Sequence, residues 1–424
     1  MATLETIRYV PHRPEVATQK VTWQVRNTKI IETLPQIMWA NNTPWREANL
    51  WALEKAKNKK SNIKTVWSAM THIHAYAKWL EAENTAWWHF PARESERCLV
   101  RFRGFLIDSL EHSELAPSTA QKRMNAVIRF YRWLQAMRLL SPEWPMWNDR
   151  QIGVRLNDKF GLERTMSVET TDLAIPNRKS KEYNLEDGLF PVASSEVAGM
   201  LSFARKYASE ELALMLQLGF GTGMRIGTLT DLKVATINRA VPSPLVLGFY
   251  CLAVGPGAHP TVHTKFGVTG QVIISEGDLA ALRSYIQSPR RLKRKAKACL
   301  ENSEHVFLTR YGELYGHKGV ESSKSINVEL GRLRKLGIAA NMEAFNNFRF
   351  HQTRCTFATE LARVIIKYGS VSMAIDIVKS LLLHKDESTT LKYIKFVEAT
   401  AAMSEAANEF TRKFLGLDPL RNKA

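Results

Sequence analysis

The tryptophans of this chain are confined to its first 147 residues. All 11 lie between Trp23 and Trp147, and none follows in a chain of 424 residues. Tryptophan is a large side chain that is highly buried on average, so this step in composition predicts two cores of different make-up. Domains commonly hold about 100–200 residues, which agrees with that division. We expect an N-terminal arm or extension over 1–45, a helical domain over 46–146, a linker over 147–189 and a second domain over 190–424.

Apolar residues recur at three- and four-residue steps in three stretches of the first half, which predicts amphipathic helices. The first is expected to begin at a Ser61 cap. The second should span Arg93–Leu110 with Phe105 on its buried face, and the third should begin at Pro117 and carry Met137 inward. The opposite face of the third helix is basic, and DNA contact or a solvated surface would explain it equally well. The residues assigned to DNA there are Lys122, Arg123, Arg129 and Arg132.

The second half mixes helical periodicity with short runs that favour strands. Helical patterning begins near Ser194 and returns over 276–287 and from about 322 onward. Between these stretches lie β-like runs at 244–252, 262–264 and 271–274. The expected fold class is therefore mainly α with a small β-sheet, an α+β arrangement.

The chain carries a large net positive charge. Its 59 Lys and Arg outnumber 41 Asp and Glu, for a formal charge of +18, which favours a nucleic-acid partner over a membrane surface. A solvated basic surface is the plain alternative. The densest basic run is 290–297, and four of its side chains are assigned to DNA: Arg290, Arg291, Lys293 and Arg294.

Several classes of protein are excluded by the absence of their motifs. No apolar run reaches the roughly 18 residues of a membrane span. The four cysteines form no C-x-x-C pair, so neither a metal site nor a disulfide framework is indicated. The sequence has no P-loop and no H-E-x-x-H helix, so no nucleotide, metal or other cofactor is expected.

Three short segments carry side chains that suit phosphodiester chemistry. Arg225 opens a helix after a glycine-rich helix end, His351 and Arg354 lie one helical turn apart, and Tyr393 follows His384 by nine residues. Two guanidiniums can grip phosphate oxygens with forked donors. Imidazoles can move protons, and a tyrosine can attack phosphorus. Each group alone has a structural alternative, such as an ordinary ion pair or a buried hydrogen bond.

These segments resemble the sequence motifs of the tyrosine recombinases, the phage integrase family. TGMRI (222–226) is similar to the motif around the family's first arginine, HQTR (351–354) to its H-x-x-R motif, and LLH through STTLKY (382–393) to its last motif. The order and the spacing also agree. The helical region over 46–146 resembles the family's core-binding domain, so the resemblance implies a helical DNA-binding domain followed by a catalytic domain.

The resemblance implies a role for each matching residue. Arg225 and Arg354 would bind the scissile phosphate, and Tyr393 would form a 3′-phosphotyrosyl bond and release a 5′-hydroxyl. His351 would assist proton transfer and His384 would hydrogen-bond the phosphate. No metal and no ATP would be required.

The family also places a lysine on a hairpin between the first two motifs, as the acid that protonates the 5′ oxygen. Lys265 fits this position between two β-like runs, and Lys233 is the poorer candidate. Two residues depart from the family pattern. Thr228 stands where an acidic residue usually supports the first arginine, and Cys355 stands where a histidine commonly follows the second. We expect altered support of the catalytic groups rather than inactivity.

The resulting expectation is a site-specific recombinase that integrates, excises or transposes a mobile element. Double-stranded DNA would be its partner, with a tetramer on paired sites, accessory DNA-bending or directionality proteins, and no membrane. A cytoplasmic, nucleoid-associated protein of a prokaryote is expected. A DNA-relaxing enzyme like the type IB topoisomerases and a non-catalytic DNA-binding protein are the alternatives.

Overall fold

The computed structural model divides into two compact units, Met1–Ser180 and Lys181–Ala424, which are described separately. It describes residues 1–17, 20–26, 30–58, 61–141, 143–157, 163–177, 185, 188–244, 246–316 and 323–414. None of the described helices is long and apolar enough to cross a membrane.

The first unit combines helices with antiparallel strand pairs. Its strands are β1 (Thr3–Tyr9), β2 (His12–Ala17), β3 (Lys20–Val25), β4 (Ile31–Met38), β5 (Asp149–Asn157) and β6 (Glu163–Thr171), paired β1 with β4, β2 with β3 and β5 with β6. Its helices are α1 (Arg46–Lys57), α2 (Ile63–Ala82), α3 (Cys98–Glu111) and α4 (Pro117–Ala136).

Aromatic side chains fill the core of this unit. Trp45 is fully enclosed and meets Phe130 edge-on at 5.4 Å between ring centroids. Tyr76 and Tyr131 are also buried, and their hydroxyls are hydrogen-bonded at 2.9 Å. The tryptophans are not all core residues, however: the Trp23 side chain is 66% exposed. Trp23 lies on the β2–β3 hairpin, whose described side chains are all exposed.

Details of the helices differ from the sequence expectations. Asn62, not Ser61, caps α2, because its side chain accepts the Lys64 backbone N–H at 2.9 Å. Phe105 is exposed, since the buried stripe of α3 passes through Leu99, Phe102 and Leu106. Met137 is exposed because α4 ends one residue before it.

The segments on either side of these helices contribute to the same core. Leu34 and Ile37 of β4 are buried in it. The Asn49 side chain of α1 holds both backbone groups of Ile37, at 2.7 Å from the N–H and 3.0 Å from the carbonyl. Leu173 and Ile175, which follow β6, are buried in this core as well. Much of 1–45 and part of 147–189 is therefore ordered structure of the first unit.

The second unit is mostly helical and contains one small sheet. Its helices are α5 (Ser194–Tyr207), α6 (Glu210–Thr222), α7 (Ile226–Leu229), α8 (Val234–Asn238), α9 (Glu276–Gln287), α10 (Pro289–Lys295), α11 (Leu300–Ser303), α12 (Lys324–Ala339), α13 (His351–Tyr368), α14 (Val371–Leu381) and α15 (Glu387–Phe414). The sheet is antiparallel with the order β7 (Val241–Pro242), β8 (Phe249–Val254) and β9 (Gly270–Ser275).

The sheet confirms the α+β fold class and corrects its strand limits. The first predicted run starts as a strand only at Phe249, because Gly248 turns the chain with a φ of +77°. Val262, in the second run, makes only an isolated bridge to Gly255. The third run is β9. The chain between β8 and β9 forms the loop over 255–269, referred to below as the β8–β9 loop.

Candidate active site

Gly223 brings the first motif close to the other two. It ends α6 with a φ of +65°, a left-handed conformation that favours glycine. A Cβ there would lie 2.6 Å from side-chain atoms of both Phe357 and Leu382, so a larger residue would force the helices apart. Arg225 follows two residues later and leads into α7.

Arg354 joins the three motifs through hydrogen bonds. It lies in the first turns of α13 and is buried. One Nη donates to the carbonyl of Gly223 and the other to the carbonyl of Leu382, both at 2.8 Å. The guanidinium therefore fixes the end of α6 relative to the end of α14.

Lys265 lies on a tight turn of the β8–β9 loop. Phe266 and Gly267 both have positive φ, +67° and +66°, and the Thr264 hydroxyl closes the turn by donating to the carbonyl of Val268 at 2.6 Å. The Phe266 ring is exposed and lies beneath the ammonium of Lys265 at 5.2 Å and that of Lys385 at 5.8 Å. The turn thus brings Lys265 next to the third motif.

Four of the predicted catalytic residues line one open pocket. They are Arg225, Lys265, His351 and Arg354. The described residues that line it are Met224, Arg225, Ile226, Gly227, Thr228, His263, Lys265, Phe350, His351 and Arg354. Among the residues that the structure describes, this lining has cationic groups and imidazoles and no acidic side chain, which suits the two negative oxygens that share the charge of a phosphodiester.

His384 and Tyr393 are placed differently, in the core formed by α13, α14 and α15. His384 is buried, with Nδ1 2.9 Å from the hydroxyl of Thr390. Its ring stacks on that of Tyr393 at 5.9 Å and 9° between planes. Tyr393 is fully buried, and its hydroxyl lies 3.9 Å from Sγ of Cys355. Neither residue is among the described residues that line the pocket.

The two departures from the family pattern also have definite positions. Thr228 lines the pocket with its side chain largely buried, and Cys355 is buried against the Tyr393 hydroxyl. Lys233 is held by Asp231, with 2.7 Å between Nζ and Oδ2. It does not line the pocket, which favours Lys265 as the lysine of the site. The sequence analysis gave no site role to Asp231 or to His305, whose Nε2 lies 3.2 Å from Oδ1 of this carboxylate.

The basic face of α4 is partly available for DNA. Lys122 and Arg129 are exposed. Arg123 is half-buried, and burial lowers the pKa of its guanidinium. Arg132 is exposed but paired with Asp149, with 3.2 Å between Nη2 and Oδ1.

The basic run over 290–297 requires a correction. Arg291 is buried and donates to the carbonyls of Ser303 and His305 at 2.7 and 2.8 Å. Arg294 is buried and meets Glu211 at 2.8 Å, and Arg290 contacts the same carboxylate at 2.8 Å. Arg291 and Arg294 hold the unit together from buried positions, so the DNA contact predicted for these two is wrong. Arg290 is exposed as well as paired, and its contact with DNA stays a prediction. Lys293 is exposed, and its contact with DNA stays a prediction.

Glu211 compensates the charge of two of these arginines. It is fully buried and also accepts the Tyr285 hydroxyl at 2.9 Å. Burial by itself would raise the pKa of Glu211, but the hydrogen bond from Arg290 and the charge of Arg294 outweigh burial and lower it. The ionised carboxylate therefore stabilises the fold above the unfolded pKa of about 4.3, and this contribution is lost as the pH falls below that value.

We predict that Glu211→Ala destabilises the protein by about 3–5 kcal/mol, because it leaves buried guanidinium charge uncompensated. The midpoint of chemical denaturation of the full chain at pH 7 measures this loss. Glu210→Ala is the matched control, since Glu210 is exposed and lies 3.7 Å from Arg290, and it should cost less than about 1 kcal/mol. Equal losses in the two variants would contradict the role given to the buried carboxylate.

Among the residues that the structure describes, no group of three His, Cys, Asp or Glu side chains could hold a metal ion.

The comparisons with known proteins agree with the chemistry that the residues of this site suggest. The model of the phage integrase family matches residues 192–399. The fold is similar to the XerH site-specific recombinase bound to palindromic difH substrate in a post-cleavage complex, with a TM-score of 0.51, 13% identity, and coverage of 86% of this chain and 85% of that one. It is also similar to the Tn1549 transposon integrase in complex with circular intermediate DNA, with a TM-score of 0.51, 14% identity, and coverage of 84% and 98%.

No curated protein matches the chain. At 13% and 14% identity the two solved structures show a shared fold, while the family model covers the segment that contains all three motifs. Over residues 192–399 the chain belongs to the phage integrase family, and it is a tyrosine recombinase.

Proposed function

We propose that this recombinase cleaves and rejoins duplex DNA at specific sites, with Tyr393 as nucleophile. The observation that carries the proposal is the pocket in which Arg225, Lys265, His351 and Arg354 converge from distant parts of the sequence. A cationic pocket with no carboxylate among its described lining residues suits a phosphodiester and the charge that builds up on its oxygens in the transition state.

The cleavage step assigns a task to each group. The Tyr393 oxygen forms a bond to phosphorus while the bond from phosphorus to the 5′ oxygen breaks. The phenol proton passes to His351, and the 5′ oxygen takes a proton from Nζ of Lys265. Arg225 and Arg354 neutralise the non-bridging oxygens.

Rejoining reverses these transfers when the 5′-hydroxyl of another strand attacks the phosphotyrosyl bond. The tyrosyl ester retains the energy of the phosphodiester, so no co-reactant is required. In this scheme His384 hydrogen-bonds the phosphate.

The buried position of Tyr393 sets a requirement for this step. Its ring is stacked on His384 and its hydroxyl faces Cys355. To attack the phosphate, the ring must leave this core, and α15, which carries it, must shift or open locally. In this proposal the conformation described here precedes DNA cleavage.

We further propose that duplex DNA is the partner, that the protein acts as a tetramer on paired sites, and that it integrates, excises or transposes a mobile element. The exposed Lys122 and Arg129 support DNA contact by α4. The exposed Lys293 supports DNA contact by α10. One similar structure is a recombinase with its DNA substrate and another is a transposon integrase with circular intermediate DNA. The proposal also includes accessory DNA-bending or directionality proteins and a prokaryotic host.

A nicked substrate tests the chemistry. The probe is duplex DNA that carries the sequence flanking the gene, nicked just 3′ of the cleavage position so that the freed 5′-hydroxyl fragment diffuses away. We expect a covalent protein–DNA adduct, stable in detergent, on the 3′-phosphate side of the break. A supercoiled plasmid without the site should stay supercoiled, whereas a topoisomerase would relax it. Attachment to the 5′ side, or no adduct, would refute the proposal.

A further inference from the structure

Asp231 is a half-buried carboxylate between the first motif and the β8–β9 loop. Its Oδ2 accepts the backbone N–H of His263 at 2.6 Å and the ammonium of Lys233 at 2.7 Å. Its Oδ1 lies 3.2 Å from Nε2 of His305. Asp231 comes shortly after Arg225, on the far side of α7, and so it connects the Arg225 segment to the chain that carries Lys265.

Several hydrogen bonds fix the β8–β9 loop, among them one from Arg239 to the carbonyl of His259 at 2.7 Å. Gly255 and Val262 exchange backbone hydrogen bonds of 2.9 and 3.3 Å at its base, and the Thr264 hydroxyl closes the turn beyond. Between these points Asp231 holds the backbone of His263, two residues before Lys265. The hydrogen bond from Asp231 ties the loop to the segment of Arg225 at a position two residues before Lys265.

The position of this backbone matters because Lys265 is exposed. A lysine side chain has about 2 kcal/mol of rotamer entropy, so its ammonium is aimed by where its Cα lies rather than by close packing. A displacement of about 1 Å at a reacting group can lower a rate by about 10²-fold. The hydrogen bond to His263 therefore controls how well Lys265 reaches the pocket.

The carboxylate is itself held in place. Burial would raise the pKa of Asp231, but the hydrogen bonds from His305, Lys233 and the His263 N–H lower it to about 2. Asp231 is thus ionised at neutral pH, and a hydrogen bond to an ionised acceptor is about twice as strong as one between neutral groups.

We propose that Asp231 is a positioning residue that sets the distance between Arg225 and Lys265 and so places the Lys265 ammonium against the leaving 5′ oxygen. His305 and Lys233 orient its carboxylate. The inference rests on the proposed function, which assigns Lys265 as the proton donor.

A change of leaving group tests this role. In the probe DNA, sulfur replaces the bridging 5′ oxygen at the scissile phosphate. A thiol has a pKa of about 8.5, far below that of an alcohol, so sulfur leaves as thiolate without a proton from Lys265. Single-turnover cleavage is measured on the oxygen and the sulfur substrates for each variant.

We expect Asp231→Ala to slow cleavage of the oxygen substrate by about 10²-fold and to cleave the sulfur substrate within about threefold of the wild-type rate. Lys265→Ala should show the same rescue. The double variant should be no slower on oxygen than Lys265→Ala, because the two changes remove one function. Asp231→Asn, which keeps an oxygen acceptor for His263, should lose only about tenfold and be rescued too.

The controls distinguish a failure of the positioning role of Asp231 from a failure of the proposed function of Lys265. Glu329→Gln changes another partly buried carboxylate, which accepts from Ser209 and Tyr315, and it should cleave both substrates normally. If sulfur rescues Lys265→Ala but not Asp231→Ala or Asp231→Asn, the positioning role is wrong and the proposed function stands. If sulfur does not rescue Lys265→Ala, Lys265 is not the acid and both assignments fail.

Discussion

Replacing Tyr393 with phenylalanine should abolish the covalent adduct and leave the fold intact. The variant lacks the oxygen that bonds to phosphorus, so we expect adduct formation to fall by at least about 10⁴-fold. The phenylalanine ring can keep its stack on His384. The variant gives up the 3.9 Å approach of the hydroxyl to Cys355 together with the hydroxyl's other contacts, so we expect stability to fall by about 0.5–1.5 kcal/mol, the usual net contribution of a hydrogen bond.

The nicked substrate measures this prediction, and the chain offers a matched control. Tyr368 is the last residue of α13 and its side chain is 79% exposed. Tyr368→Phe should therefore form the adduct in wild-type yield. An adduct that persists in Tyr393→Phe would show that another residue is the nucleophile.

Arg354→Ala should impair both catalysis and stability while sparing DNA affinity. We expect cleavage to fall by at least about 10³-fold, because preorganised donors act most strongly on the charge of the transition state. The carbonyls of Gly223 and Leu382 would each lose a donor, and a buried unsatisfied group costs about 1–3 kcal/mol. Arg354→Lys should recover little, because a single ammonium does not reproduce the two forked contacts.

Gel-shift titration and single-turnover cleavage separate these effects. DNA affinity should change by less than about threefold, since many other phosphate contacts contribute to binding. Arg363→Ala is the control on the same helix, as Arg363 is partly exposed and paired with Glu360. It should change neither quantity. A loss of affinity as large as the loss of cleavage would place Arg354 in ground-state binding instead.

The sequence predicted the fold where the signals are local. Helix α4 begins at Pro117, and α6 ends at Gly223 in the left-handed conformation. Caps, turns and apolar periodicity act over a few residues, so they can be identified without tertiary structure. These local signals placed the exact helix ends less accurately. Asn62 rather than Ser61 caps α2, and α4 ends before Met137.

The candidate site, like the fold, could be predicted from the sequence only in part. Residue types and spacing singled out Arg225, His351, Arg354 and Lys265, and the structure brings these four into one pocket. Spacing could not show that Tyr393 lies in a separate core. That placement depends on how α15 packs, and packing involves residues distant in the sequence.

By itself, then, the sequence determined the chemistry available to this protein, because residue type and motif order are properties of the chain. Only the tertiary structure decided which of the charged side chains hold the fold through ion pairs. Arg290 and Arg294 look alike in a basic run, yet both meet Glu211, which lies 79 residues from Arg290. Asp231 reaches His305 across 74 residues. An arginine or aspartate is buried only where a distant partner compensates its charge, and folding is what brings such partners together.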